Sequence, residues 1–170
     1  PEGLEDDSAR WDTMMSTRSD ATLARAARHR PSLRPMEIRS VIPVDYENPR
    51  YREPEQKCWV KANGSIADSA EVDNQPLHHA ILAYASDFNL MGTSLLPHAV
   101  SIMNGKLQPA SLDHCIWFHD SFRVDEWLLY VMDSPVSSQA RGLNRGSFFS
   151  RDGRLVASTI QEGLIRLRQD

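Results

Sequence analysis

The sequence predicts an α+β domain in which an antiparallel sheet wraps one long central helix. Three observations carry this. Within residues 76–88, Leu77, Ile81, Tyr84, Ala85 and Phe88 recur at i, i+4, i+7, i+8 and i+11, a single apolar stripe at helical period. Six runs with strand character surround it, two before and four after. The last two runs meet at Arg151-Asp152-Gly153, and Asp-Gly is a strong signal for a tight hairpin. A helix and a sheet that each carry an apolar face cover both faces by packing on one another.

Taken in order, residues 1–35 are polar and charged and read as an arm or linker. Inside them, residues 19–30 suit a short Ala- and Arg-rich helix, capped by Ser19 or Asp20 and stopped by Pro31. Its apolar face is too small to fold alone, so it must dock on something else. Residues 36–170 form the domain proper. Residues 37–44 read as a strand, with Pro43 placing its end at an edge. A Pro-rich polar turn follows, then a second strand at 57–62, ended by Asn63-Gly64. In the helix, Leu82 and Ala83 widen the apolar surface, so it is expected to be buried on most sides, with His78, His79 and Ser86 off the stripe. Asn89, Gly92 and Pro97 then turn the chain. Four strands complete it, at 112–119, 127–132, 140–150 and 154–167. A sheet wrapped around a central apolar helix is the hotdog architecture.

Composition narrows the function. The 170 residues hold 19 Lys and Arg against 23 Asp and Glu, a net charge of −4, which argues against nucleic acid as partner. No run approaches the roughly 20 apolar residues of a membrane span. The first residues are acidic and polar, unlike a secretory signal, and Arg168-Gln169-Asp170 is no Ser-Lys-Leu-type peroxisomal address. Cys58 and Cys115 are the only cysteines, too few for a disulfide framework or a structural zinc site. They read as small core residues of a protein from a reducing, cytoplasmic compartment.

Several polar residues invite a chemical reading. His114 and His119 flank an aromatic run, but strand side chains alternate faces and these two are an odd number apart, so they cannot share a metal in a regular strand. His78 and His79 diverge around a helix, and no metal site is expected. Arg141-Gly142-Leu143-Asn144-Arg145-Gly146 lacks the Lys-Ser or Lys-Thr of a phosphate loop and opens no helix. Its glycines read as points of close backbone contact, and Arg141 or Arg145 as a possible phosphate partner. No Gly-x-Ser-x-Gly elbow is present. Asp87 at the helix end, Ser111 and Asp113 at the head of a strand, and Gln161 within the last strand remain as scattered polar groups, each with a structural explanation available.

Three ordered blocks give these residues a context. Ser111 to Tyr130 (SLDHCIWFHDSFRVDEWLLY), Arg141 to Arg166 (RGLNRGSFFSRDGRLVASTIQEGLIR) and LHHAILAYASDF around the helix resemble the acyl-CoA thioesterase II family over about residues 36–167. Pro-Glu-Gly-Leu at the start also resembles that family's linker. The resemblance implies hydrolysis of fatty acyl-CoA to fatty acid and CoA. Its site would fall on Asp87, Ser111 and Gln161, which together would activate and orient a water, with CoA a substrate part and no retained cofactor. Members carry two hotdogs in one chain, so this chain is expected to be the C-terminal half behind its linker. Its partner would be the other half or a copy of itself, in a homo-oligomer, covering apolar surface around Trp117, Trp127 and Phe148. Arg141 or Arg145 would then hold CoA phosphates. The competing expectations are a non-catalytic acyl-CoA-binding or assembly hotdog, and a hotdog hydratase, against which the lack of a matching His and acid pair weighs.

Overall fold

The computed structural model of the chain describes residues 1–16, 35–66 and 74–168. The helix expected at 19–30 lies outside them. The architecture is set by a seven-stranded antiparallel sheet: β1 (Met36–Ser40), β2 (Glu55–Ala62), β3 (Leu107–Ser111), β4 (Cys115–Phe118), β5 (Leu128–Ser138), β6 (Arg141–Phe149) and β7 (Leu155–Leu167). The spatial order is β1-β2-β5-β6-β7, with β3 and β4 end to end along the far edge of β7. Helix α2 (Gln75–Ala85) lies in the concave face, which is the hotdog arrangement.

Alternation builds the face that receives the helix. Ile38, Cys58, Val60, Leu128, Tyr130, Met132, Phe148 and Val156 are buried there around Leu82 and Ala85. Burying Leu82 completely contributes about 2 kcal/mol. Tyr130 and Phe148 stack with ring centroids 3.8 Å apart. A smaller cluster of Leu95, Leu107 and Ile165 covers the other end of β7, under the 3₁₀ helix η1 (Met91–His98). The polar arm also contributes a helix, α1 (Asp7–Ser16), tied to β1 by two hydrogen bonds from Ser40 to the Asp7 carboxylate and by the buried Trp11.

Four sequence expectations need correction. The strand expected at 112–119 shortens to Cys115–Phe118, and an unexpected strand, Leu107–Ser111, precedes it on the other half of β7. Residues 112–114 between them leave the ladder, held by Leu112 N–H donating to the Glu162 carbonyl and Glu162 N–H donating to Asp113 Oδ1. The helix turns a different face to the sheet: His78, Leu82 and Ala85 are buried, whereas Leu77 and Tyr84 are 48% and 53% exposed. His78 goes inside because its Nδ1 accepts the backbone N–H of Val124, 3.1 Å away. Cys115 is exposed on β4 while Cys58 is buried as expected. Of the aromatic residues expected at the surface, Trp117 is exposed, but Phe148 is fully buried and Trp127 is half-buried beneath the cations of Arg39 and Lys61.

Element limits shift less. β1 stops at Ser40, β5 runs on to Ser138 through an irregularity between Asp133 and Val136, and α2 ends at Ala85. Asp152-Gly153 makes the β6–β7 turn, with Gly153 at φ +88°.

Candidate active site

The site forms where α2 ends over the middle of β7. α2 ends at Ala85 with Ser86 as a right-handed cap, and the chain turns away only at Asn89, which sits in the left-handed region at φ 64°. Gln161 points up from β7 beside Asn144 of β6; both side chains are fully buried. Ser111 is the last residue of β3, opposite Gly163, and so lies diagonally across from Gln161. Asp87, Ser111 and Gln161, which stand 24 and 50 residues apart along the chain, come together here. Gln161 Nε2 donates to Ser111 Oγ at 2.6 Å, and Ser111 Oγ donates to Asp87 Oδ1 at 3.5 Å.

Two further residues extend this row. His114 Nδ1 lies 2.6 Å from Gln161 Oε1, and its Nε2 lies 2.7 Å from Ser86 Oγ. Ser86 is fully buried, and its carbonyl accepts the Tyr130 hydroxyl at 2.7 Å. Burial raises the pKa of that phenol, so it stays a donor. Sequence reasoning weighed His114 only as a metal ligand and assumed a regular strand, in which Ser111 and His114 would face opposite ways. The break at 112–114 resets the alternation and turns both toward Gln161. His119 leaves on the opposite face, with Nε2 2.9 Å from Ser158 Oγ. The usable signal was Ser86-Asp87 at the helix end together with a histidine three residues past Ser111. Among the described residues no group of three His, Cys, Asp or Glu is placed to hold a metal ion.

Asp87 also borders a cavity of about 360 Å³. Phe88, Met91, Leu95, Val100 and Ile102 line it together with Trp11 of α1. The cavity is thus mostly apolar, with Asp87 among its charged lining residues beside Asp7, Asp45 and Arg10.

Arg141 and Arg145 do not join this group. On β6 they alternate with Gly142, Asn144 and Gly146, which face the helix side, so both arginines project from the opposite face. Arg141 Nη1 is 3.3 Å from Glu162 and Arg145 forks onto Asp133. The glycines between them are needed for close approach. A Cβ on Gly142 would sit 2.3 Å from Ser94 Oγ, and one on Gly146 2.3 Å from the Tyr130 ring.

Fold and site together define a hotdog domain with a carboxylate, a hydroxyl and a carboxamide in hydrogen-bonded series, the carboxylate of which lines an apolar cavity. The comparisons give that class a family. The family model described as acyl-CoA thioesterase matches residues 34–164, and the chain belongs to that family. It is 40% identical over 134 residues to acyl-coenzyme A thioesterase 8 of Mus musculus, spanning 79% of this chain and 40% of the relative. It is 36% identical over 136 residues to acyl-CoA thioesterase 2 of Haemophilus influenzae, spanning 80% and 46%. Among solved structures, the acyl-CoA thioesterase II TesB2 of Mycobacterium marinum superposes with a TM-score of 0.63 at 34% identity, over 79% of this chain and 50% of that one. A hotdog-fold protein of Alicyclobacillus acidocaldarius superposes at 0.59 with 16% identity, which speaks for the fold alone. The chain therefore spans half or less of the length of these relatives.

Proposed function

We propose that this domain carries the hydrolytic site of an acyl-CoA thioesterase, with Asp87, Ser111 and Gln161 positioning the attacking water. The observation that supports it most is the hydrogen-bonded series of these three side chains, with Asp87 also lining the apolar cavity. A thioester carbonyl is electrophilic and a thiolate leaves readily, so an oriented water suffices and no covalent enzyme intermediate is needed. Asp87 takes one proton from the water as general base. Gln161 occupies one lone pair of Ser111 Oγ, leaving the other to accept the water's second hydrogen. The water's own lone pair is then aimed at the carbonyl carbon. Attack gives a tetrahedral oxyanion; the C–S bond breaks, and the proton held on Asp87 leaves with the CoA thiolate. The acyl chain occupies the cavity behind Asp87, with Trp11 of the arm as part of its wall.

The apolar face of α2 left exposed by Leu77 and Tyr84, together with Trp117 and Phe118 on β4, is read as the surface that a second hotdog covers. That second hotdog is either another part of a longer chain or another copy. A non-catalytic acyl-CoA-binding domain is the rival reading, favoured by the partial coverage of the relatives. Thiol release from a long-chain acyl-CoA separates the two. The wild-type protein is expected to turn over, and Asp87→Asn to lose about 10²-fold or more in kcat while remaining folded by circular dichroism. Binding without turnover in the wild type, or full turnover in Asp87→Asn, rejects the catalytic reading.

A further inference from the structure

We infer that His114 is a positioning residue that sets the orientation of the Gln161 carboxamide, and through it the single hydroxyl proton of Ser111, by donating from Nδ1 to Gln161 Oε1. The inference rests on the reading of Asp87, Ser111 and Gln161 as the water-binding set, and it follows from counting protons along the row.

Ser86 Oγ has one hydrogen and two neighbours that want it: the Ala83 carbonyl at 2.8 Å and His114 Nε2 at 2.7 Å. Two arrangements satisfy a neutral His114. In the first, Ser86 donates to Nε2, His114 Nδ1–H donates to Gln161 Oε1, Gln161 Nε2–H donates to Ser111, and Ser111 donates to Asp87. In the second every arrow reverses. Ser86 donates to Ala83, His114 Nε2–H donates to Ser86, the flipped Gln161 amide donates to Nδ1, and Ser111 donates to Gln161. The second arrangement turns a Ser111 lone pair toward the Asp87 carboxylate and gives that carboxylate no donor from the row. A fixed negative charge at one end therefore selects the first, since a hydroxyl donating to a carboxylate is stabilised and a lone pair facing one is repelled. Protonating His114 keeps the same order. Nδ1 still donates to Gln161, while Nε2–H now donates to Ser86 and Ser86 turns its hydrogen to Ala83. In both states the proton on Nδ1 is the element that cannot change.

A carboxamide presents nearly the same shape either way round, so the orientation of Gln161 is set by the groups at its two ends, Ser111 with Asp87 on one side and His114 Nδ1 on the other. The exposed face of His114 does not weaken the role, since both ring nitrogens are engaged with fully buried residues.

The test uses the whole protein labelled with ¹⁵N-histidine. Long-range ¹H–¹⁵N correlation at neutral pH reads the tautomer of the resonance that disappears in His114→Asn. A protonated Nδ1 is expected, and a ring protonated on Nε2 alone overturns the proposal. Kinetics supply the second arm. Asn places an amide N–H where Nδ1 stood, whereas Gln reaches only toward the Ser86 end. His114→Asn is expected to keep kcat within a few-fold. His114→Gln and His114→Ala are expected to lose about tenfold or more in kcat with KM unchanged, as displaced positioning groups do. Equal kcat in all three variants overturns the positioning role. If the wild type does not hydrolyse acyl-CoA at all, the proposed function fails, while the tautomer measurement still decides whether His114 orients Gln161.

Discussion

Gly146→Ala tests whether the core beneath the site transmits strain into it. The added methyl would lie 2.3 Å from Tyr130 Cε2, 2.6 Å from Thr159 Oγ1 and 2.8 Å from the Tyr130 hydroxyl. The ring cannot retreat, because Phe148 stacks on it and both are fully buried. Overpacking of this kind costs about 2 kcal/mol. For a chain of this length that lowers Tm by about 4–8 °C. Whatever movement relieves the clash shifts the Tyr130 hydroxyl, which holds the Ser86 carbonyl and bonds Thr159 Oγ1 at 3.1 Å. Ser86 carries His114, so kcat is expected to fall along with stability. Gly153→Ala is the comparison: its Cβ would meet nothing within 4 Å, and only the left-handed backbone at φ +88° is penalised. That variant should lose about 1 kcal/mol and keep wild-type kcat. The assays are differential scanning fluorimetry and thiol release on the same preparations. A Gly146→Ala protein that melts and turns over like the wild type would refute the reasoning.

Other outcomes follow from the same geometry. Ser111→Ala and Gln161→Ala should each cost less kcat than Asp87→Asn, and the double variant less than the sum of the two in free energy, since both groups hold one water; strict additivity would argue against a shared site. Burial in front of Ser40 raises the pKa of Asp7, even though the bonds from Ser40 oppose it. Docking of α1 therefore gains most below the unfolded value of 3.8 and loses that gain as pH rises through the raised folded value. Asp7→Asn should flatten this pH dependence in a melting series, and an unchanged slope would reject it. Burial pushes the Cys58 thiol up to about 12, so native alkylation at neutral pH should label Cys115 and spare Cys58, read by peptide mass. If Arg141 or Arg145 holds CoA phosphates despite facing away from Asp87, replacing each by Ala should raise KM more than it lowers kcat; unchanged KM in both settles the matter against them.

β5, β6 and β7 were readable because they alternate cleanly and Asp-Gly marks the turn between the last two, whereas β3 at 107–111 and the order of the strands across the sheet were not. The helix was readable as a helix but not by face. Leu77, Ile81, Tyr84, Ala85 and Phe88 make the better stripe, yet Ala85 alone of them is fully buried, beside His78 and Leu82, while Ile81 and Phe88 pack on the core partly buried. Periodicity reports that apolar surface will be covered, not by what, and His78 enters the core only because Val124 N–H needs an acceptor there. η1 was invisible, since Gly92 and Pro97 read as turn residues. Asp87, Ser111 and Gln161 were visible as candidates through resemblance, whereas their spacing gave no hint that they meet. His114 was lost to an assumption of regularity that Leu112 and Asp113 break. Cys115 and Phe148 show the limit of reading burial from residue type alone, since the small thiol ended outside and the aromatic inside.

That break carries a consequence for how this sequence tolerates change in length. Two residues, Leu112 and Asp113, separate Ser111 from His114, and the facing of both depends on that count; Leu112 holds the break through its backbone alone, Asp113 through its side chain as well. Deleting either one would hand the next residue back to the β7 ladder and rotate a whole strand's side chains to the other face. Between β1 and β2, the exposed turn at 47–51, which crosses no ladder and lies past the cavity-lining Val44, Asp45 and Tyr46, should absorb insertions of several residues with little loss. In a library of single-residue changes, activity should therefore vanish on deletion at 112–113 while many point substitutions of Leu112 survive.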